Sequence, residues 1–264
     1  MSSDTSDLAT RDAFEDADAP EGDRSRMSFL EHLDELRRRI LYSIYAVAAG
    51  CAVTFWFINP LYEYMTGYFH RFGGQLIFTG MADAFLLEMK VAILAGFLIA
   101  SPFVFSQLWL FVAPGLYTRE KKVVLPFVFF ATTLFGAGVW FSHRYAFPNM
   151  FLFFASFEND NVKFFPTLKE VASFYFKMAL GFGIVFQMPI LVFFLARFGI
   201  VTWKFMAKQF KYAVLIIFII AAVVTPSGDP VNQTIFAAPM IVLYIISIGV
   251  AWIFGKKKPK NAET

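Results

Sequence analysis

The sequence predicts an all-α, polytopic membrane protein with six transmembrane helices, the last two of which are short. Hydrophobic residues make up 58% of the 264 residues, phenylalanine alone accounts for 36, and only 16% are charged. The apolar residues form uncharged runs of about 20 residues, which is the length that a helix needs to cross a bilayer. A soluble chain of this length rarely carries so little charge, so the chain is expected to fold in lipid.

Four long apolar runs form the first part of the predicted bundle. They cover residues 40–58, 84–112, 123–147 and 171–196. Asn59-Pro60 and Pro148 are expected to end the first and third spans, because proline cannot continue a helix, and Pro102 and Pro189 favour bends within the second and fourth. Small residues recur at every fourth position of the first two spans, at Ala46, Gly50, Thr54, Ala92, Gly96 and Ala100. Such faces let helices pack closely in lipid.

The last two spans form a hairpin with an unusually short first arm. Thirteen residues separate Lys211 from Thr225, and the segment PSGDP at residues 226–230 then forces a turn. A helix of that length reaches only about 20 Å, whereas the bilayer core is about 30 Å thick. The sixth run covers residues 233–254 and is long enough to span. Six spans are therefore favoured over four spans with a re-entrant last pair.

Basic residues lie mostly on one side of the predicted bundle. Sixteen lysines and arginines flank the spans within residues 24–39, 119–122, 197–211 and 256–260. The opposite loops hold three, which are Arg71, Lys163 and Lys169. Basic flanks stay on the cytoplasmic side, so we expect a multi-pass protein of the cytoplasmic membrane with both termini inside. Two cytoplasmic termini require an even number of spans.

The two ends of the chain differ from the bundle. Residues 1–26 are acidic, contain few large apolar side chains and lack the basic start and apolar core of a secretory signal, so we expect a disordered cytoplasmic tail. Residues 27–255 form the predicted transmembrane domain, and residues 256–264 form a basic cytoplasmic tail. A single cysteine, Cys51, and three scattered histidines predict neither a disulfide nor a metal site, and no cofactor is expected.

The sequence does not carry the signatures of catalysis. It has no Walker loop, GxSxG or HExxH motif, so an enzyme is not expected. The ionisable residues of the spans lie near the outer interface, where lysine and arginine snorkel: Glu88, Lys90, His143, Arg144 and Lys177. A transporter or channel, the main alternative, predicts buried acids and an internal repeat, and a membrane-embedded enzyme predicts an interfacial cluster of His, Asp and Glu. None of these patterns is evident, which favours a protein that binds or organises another molecule.

Three polar side chains, Glu35, Glu120 and Gln187, are candidates for a function as well as for a structural role. Glu35 is placed to pair with Arg39 one turn later, and Glu120 to cap a helix end beside basic residues. The same two carboxylates could instead form a socket for an arginine-bearing ligand, because a carboxylate offered to a guanidinium makes a charge-assisted bidentate pair. Gln187 lies in the middle of the fourth span, where an amide needs a hydrogen-bond partner, most simply on a neighbouring helix.

Four sequence stretches resemble TatC, the multispanning subunit of the twin-arginine protein translocase. They are FLEHLDELRRR at residues 29–39, QLWLFVAPGLY at 107–117 followed by Glu120, FQMP at 186–189, and the segment from Thr225-Pro226 through Gln233 to Ala238-Pro239-Met240. The resemblance covers residues 28–254, with the stretches in the right order and at the right spacing. The second stretch is very specific, and the other three are moderately so.

The resemblance implies recognition of signal peptides that carry two consecutive arginines, on proteins that are exported already folded. Carried over by position, Glu35 and Glu120 match the acids associated with recognition of the twin arginines. Phe111 and Pro114 match the first-loop motif around that site. Transport in the family is driven by the protonmotive force, which agrees with the missing nucleotide motif.

The resemblance also implies partners within the membrane. Thr225 and Gln233 match the polar region of the last hairpin where single-span TatA-type and TatB-type proteins dock, and we assign Gln187 to the same partner-binding set. Other copies of the chain and the lipid bilayer are the remaining expected partners, and no nucleic acid is expected. The family often has glutamate where this chain has Gln187, and an amide cannot titrate.

Overall fold

The structure is a computed structural model. It describes residues 29–71, 77, 79–112, 121–161, 163–224 and 230–255. The predicted tails at residues 1–26 and 256–264 lie outside these ranges. Within the described residues the chain is almost entirely helical, and the only extended pairing there is a single parallel bridge between Ile77 and Thr167. The predicted all-α class is confirmed.

Ten α-helices and one π-helix make up the described chain. They are α1 (Phe29–Trp56), α2 (Ile58–His70), α3 (Asp83–Val112), α4 (Lys121–Phe141), the π-helix (Ser142–Ala146), α5 (Phe147–Ala155), α6 (Leu168–Val185), α7 (Met188–Arg197), α8 (Trp203–Lys208), α9 (Phe210–Val224) and α10 (Pro230–Phe254). Five stretches are long and apolar enough to cross a membrane: Glu31–Trp56, Asp83–Phe111, Leu125–Ala155, Leu168–Arg197 and Gln233–Phe254. A shorter apolar helix, Phe210–Val223, accompanies them. These six segments match the six predicted spans.

The chain divides into two compact units, residues 1–41 and residues 42–264, and the boundary falls inside α1. The described part of the first unit is the beginning of α1. In the second unit, α4 packs between α3 and α6, while α10 packs against α7 and α9. The side chains of the hydrophobic core of the second unit are mostly phenylalanine, methionine and alanine.

The first span ends slightly before the predicted proline. Helix α1 ends at Trp56, and Phe57 has the non-helical backbone angles φ −108° and ψ 26°. Asn59-Pro60 was expected to stop the helix but instead lies in the first turn of α2. The missing N–H of a proline is harmless there, because first-turn amides have no partner within the helix.

The prediction that Pro148 ends the third span is wrong. The chain continues from α4 through the π-helix into α5, as far as Ala155. Pro148 lies at the start of α5, and the N–H of Phe147 bonds to the carbonyl of Ser142, five residues earlier. The wider π-turn changes the hydrogen-bond register just before the proline, so the helical segment continues through it.

The fourth span is broken where the sequence favoured a bend. Helix α6 ends at Val185 and α7 begins at Met188, with Pro189 in the first turn of α7. The break therefore lies at Phe186 and Gln187. By contrast, Pro102 lies inside the uninterrupted helix α3.

Two close helix crossings confirm the small-residue faces and extend them. A methyl group added to Gly50 would lie 2.5 Å from the carbonyl oxygen of Gly96, so α1 and α3 touch through their backbones. A methyl group on Gly138 would lie 2.5 Å from the carbonyl oxygen of Phe182, which brings α4 equally close to α6. Neither contact leaves room for a side chain.

The last hairpin has one short arm and one long arm. Helix α9 has 15 residues and reaches about 22 Å, whereas α10 has 25 residues and can cross the whole bilayer core. The side-chain Nε2 of Gln233 on α10 donates to the backbone carbonyl of Phe218 on α9, at 2.6 Å. The two arms are thus joined near the middle of the shorter one.

Candidate functional site

Glu35 has one oxygen paired and one oxygen unpaired. Its Oε1 lies 3.2 Å from Nη2 of Arg39, so the predicted pair within the helix is present. Its Oε2 is buried and, among the described residues, accepts no hydrogen bond. The side chain is 18% exposed. A buried carboxylate oxygen without a donor costs free energy, about 1–3 kcal/mol, until a donor reaches it.

The first-loop motif is described only up to its beginning. Phe111 lies in the last turn of α3, one residue before the helix ends, and it is partly buried. Pro114 and Glu120 lie outside the described residues, as does Thr225 of the last hairpin. The assignments of these three residues therefore stay predictions.

Gln187 joins two helices at the break in the fourth span. Its Nε2 donates to the backbone carbonyl of Ala131 on α4, at 3.1 Å. The backbone carbonyl of Gln187 meanwhile accepts from the N–H groups of Ile190 and Leu191, which start α7. The predicted contact with a neighbouring helix is confirmed, and it is made to main chain.

A cavity of about 350 Å³ lies beside Gln187. Its walls come from α3, α4 and α7, and include Phe105, Leu108, Trp109, Phe127, Leu191 and Phe194. Among its lining residues Gln187 is the only one with a side-chain amide, hydroxyl or charge. The Trp109, Phe127 and Phe194 rings pack together with centroids 4.8, 4.9 and 5.0 Å apart. Sequence reasoning did not find this cavity, since its walls come from three spans.

Gln233 uses one end of its amide within the hairpin. The donor end is held by the Phe218 carbonyl, and Oε1 accepts no hydrogen bond from the described residues. Beside it, the surface of α9 is apolar and open: Leu215, Ile219 and Val223 lie one turn apart and are 58%, 55% and 82% exposed.

A polar aromatic cluster that joins α2, the π-helix and α6 was missed by sequence reasoning. Each ring nitrogen of His143 lies 3.0 Å from a tyrosine hydroxyl, Nε2 from Tyr64 and Nδ1 from Tyr175. Tyr68 stacks on the imidazole at 4.1 Å and donates to the His143 carbonyl. Burial is the main cause that raises the pKa of Tyr68, so its hydroxyl stays protonated. His143 thus fixes α2 and α6 to the π-helix, and no local pattern signals contacts 79 and 32 residues apart.

The described residues define a polytopic helical membrane protein in which the polar side chains of Gln187, Gln233 and His143 join helices. They contain no group of three His, Cys, Asp or Glu side chains that could hold a metal ion. The chain belongs to the TatC family: the family model described as Sec-independent protein translocase protein (TatC) matches residues 31–239. It is a membrane transport protein and not an enzyme.

Relatives and solved structures agree with this assignment. The chain is 43% identical over 243 residues to the Sec-independent protein translocase protein TatC of Koribacter versatilis, covering 89% of this chain and 88% of the relative. It is 37% identical over 232 residues to the TatC of Helicobacter pylori strain 26695, covering 88% and 90%. A crystal structure of the twin-arginine translocase receptor TatC superposes with a TM-score of 0.73 at 31% identity, covering 84% of this chain and 98% of that one.

Proposed function

We propose that the chain binds twin-arginine signal peptides and, with single-span partners of the TatA and TatB type, exports folded proteins across the cytoplasmic membrane using the protonmotive force. The observation that carries the proposal is the half-paired carboxylate of Glu35 in a chain of this family. The test is deletion of the gene: twin-arginine reporters should stay in the cytoplasm while general-secretory reporters still leave it. Normal export of twin-arginine reporters after deletion would overturn the proposal.

Glu35 can accept a guanidinium on the oxygen that Arg39 leaves open. A charge-assisted hydrogen bond at a partly desolvated carboxylate contributes about 1.5–3 kcal/mol, whereas an exposed ion pair contributes about 0–1 kcal/mol. Two such pairs, at Glu35 and Glu120, do not suffice for tight binding. The apolar part of the signal must also contribute. A guanidinium can reach Oε2 and share Oε1 with Arg39, since each carboxylate oxygen has two lone pairs, and selectivity over lysine follows because an ammonium cannot make this planar two-pronged contact.

We assign Phe111 and Pro114 to the surroundings of the arginine-binding carboxylates. Phe111 lies one residue before the end of the helix that leads into the first-loop motif, and its proposed role is to hold the start of that loop against the bundle. Pro114 restricts the backbone three residues later. The role of both residues is to position the loop that carries Glu120.

The partner-binding residues are proposed to be Thr225, Gln233 and Gln187. Support comes from the Oε1 of Gln233, which accepts no hydrogen bond from the described residues, and from the exposed apolar stripe of α9, which together fit an apolar helix with one polar donor. A transmembrane helix without a hydrophobic driving force in lipid relies on such close packing and on a few interhelical hydrogen bonds.

We also propose that both termini are cytoplasmic, since sixteen basic residues flank one side of the bundle against three on the other. A cysteine placed at Asn159 in a Cys51→Ala background should react with an impermeant thiol reagent added from outside the cell. One placed at Lys208 should react only after the membrane is opened. The reverse pattern would overturn the orientation.

Gln187→Leu should separate a structural role from a functional one. Loss of the bond to the Ala131 carbonyl is expected to lower stability by about 1 kcal/mol. If Gln187 also serves partner binding, export by the correctly inserted variant falls, and Gln187→Glu retains export. Export assays and thermal denaturation of both purified variants check this. Normal export by Gln187→Leu would remove Gln187 from the partner-binding set.

A further inference from the structure

We propose that the cavity beside α7 holds one acyl chain of an anionic phospholipid, whose headgroup lies on the basic residues of α8. The lipid comes from the cytoplasmic leaflet, and this choice of leaflet rests on the orientation proposed above. Three separate observations support the proposal: the apolar lining of the cavity, its length, and the basic charge beside it.

The lining selects a hydrocarbon ligand. The lining side chains are apolar apart from two polar groups, the Gln187 amide, whose N–H already donates to the Ala131 carbonyl, and the indole N–H of Trp109, which is buried. A polar ligand placed here would lose its hydrogen bonds to water without replacement. The volume of about 350 Å³ therefore suits an alkyl chain and not a sugar, nucleotide or guanidinium.

The length of the cavity matches one leaflet. Its lining residues on the fourth span run from Gln187 to Ile200, along the ten-residue helix α7, which is about 15 Å long. Half of the hydrocarbon core is also about 15 Å. Helix α6, which continues the span through the other half of the bilayer, contributes no lining residue. A docked transmembrane helix would need a groove across both leaflets, so an acyl chain is the better fit.

The charge beside the cavity suits an anionic headgroup. Helix α8 begins three residues after Ile200, and Lys204 and Lys208 on it are exposed, as is Lys211. The sequence has no acidic residue between Glu170 and Asp229, so this basic segment has no counter-charge of its own. Trp203 and Phe205 of α8 are 39% and 56% exposed, as expected for a helix at the membrane interface.

Retention of lipid by the purified full-length chain tests the cavity. After extraction from vesicles of equal phosphatidylglycerol and phosphatidylethanolamine, native mass spectrometry should show one retained phosphatidylglycerol. Leu191→Trp, which fills the cavity, should abolish retention. Ile184→Trp is the matched control, because Ile184 is similarly exposed on the same span, 67% against 60%, but lies outside the cavity. Equal retention by the two variants, or none by the wild type, would overturn the proposal.

The preference of the purified chain for phosphatidylglycerol over phosphatidylethanolamine tests the headgroup contacts. Replacing Lys204 and Lys208 together with glutamine should lower the preference for phosphatidylglycerol about thirtyfold while a lipid is still retained. The double replacement of Lys163 and Lys169, at the opposite end of the bundle, should leave the preference unchanged. If both double variants keep the wild-type preference for phosphatidylglycerol, the assigned position of the headgroup is refuted.

A photo-reactive residue at Leu191 distinguishes lipid from protein in the native membrane. The expected adduct has the mass of a phospholipid, and an adduct with another protein would overturn the proposal. None of these measurements includes a signal peptide, so their failure would leave the proposed export function standing.

Discussion

Glu35→Gln is expected to reduce binding of a twin-arginine signal peptide by about 10- to 100-fold and to stop export of a twin-arginine reporter. The amide keeps the shape of the side chain but loses its charge, so it can no longer balance a second guanidinium beside Arg39. Signal-peptide crosslinking and reporter export in cells measure the effect. Asp34→Asn is the matched control, because Asp34 is the preceding carboxylate of the same helix and is exposed.

A structural role for Glu35 would give a different result. If Glu35 only ties down Arg39, its replacement lowers stability by a few tenths of a kcal/mol and affects every signal equally. If Glu35 binds an arginine of the signal, the wild type binds a twin-arginine signal more tightly than the same signal with two lysines. The replacement should make this difference in binding smaller. Glu120→Ala should likewise block export by a protein that still inserts. Wild-type crosslinking to both the Glu35 and Glu120 variants would show the assignment to be wrong.

Sequence reasoning located the spans because burial in lipid imposes a simple rule on composition. Every span must be apolar over most of its length, and this can be read without knowing which helix neighbours which. The composition of a span does not predict where a proline ends a helix. Pro60 and Pro148 were both expected to end helices, yet each lies in the first turn of the next helical segment. The sequence shows that an amide hydrogen is missing but not whether the chain changes direction there.

The parts of the candidate site that sequence reasoning missed depend on contacts between distant segments. His143 was assigned to the outer interface as one of several isolated polar residues, whereas its imidazole is held by tyrosines from two other helices. The cavity beside Gln187 likewise has walls from three spans. Neither arrangement has a local periodicity, so neither can be predicted from spacing. Glu35 differs because its partner is one turn away, and that pair was predicted.

Gln187 combines a feature that the sequence predicted with features that depend on contacts between distant segments. The residue was singled out as a mid-span amide, and the structure adds that the helix breaks there and that the cavity begins there. A break exposes main-chain groups that a continuous helix would satisfy, and a side-chain amide next to it holds the two halves to α4. A lipid chain can fill the apolar cavity next to the break at Gln187 without disturbing the hydrogen bonds at the break.

A large loss of stability is expected when the crossing of α1 and α3 is overpacked. A methyl group added to Gly96 would lie 2.5 Å from the backbone nitrogen of Cys51, 2.7 Å from its Cα and 2.8 Å from its Sγ. Two of these three atoms are main chain and cannot rotate away, so Gly96→Ala must push the helices apart. Overpacking of this kind costs about 1–3 kcal/mol. The purified variant should therefore unfold about 2–12 °C below the wild type.

Two further variants show whether backbone contact is the cause of that loss. Gly136→Ala places the same methyl group in α4 where nothing lies within 4 Å, and it should be neutral or raise stability by up to about 1 kcal/mol, because alanine favours helix. Cys51→Ala removes the sulfur but leaves the backbone atoms, so it should not rescue Gly96→Ala. Thermal denaturation of all four variants, including the Gly96→Ala/Cys51→Ala pair, makes the comparison. Full rescue by Cys51→Ala would mean that the sulfur, and not the helix backbone, sets the distance between the two spans.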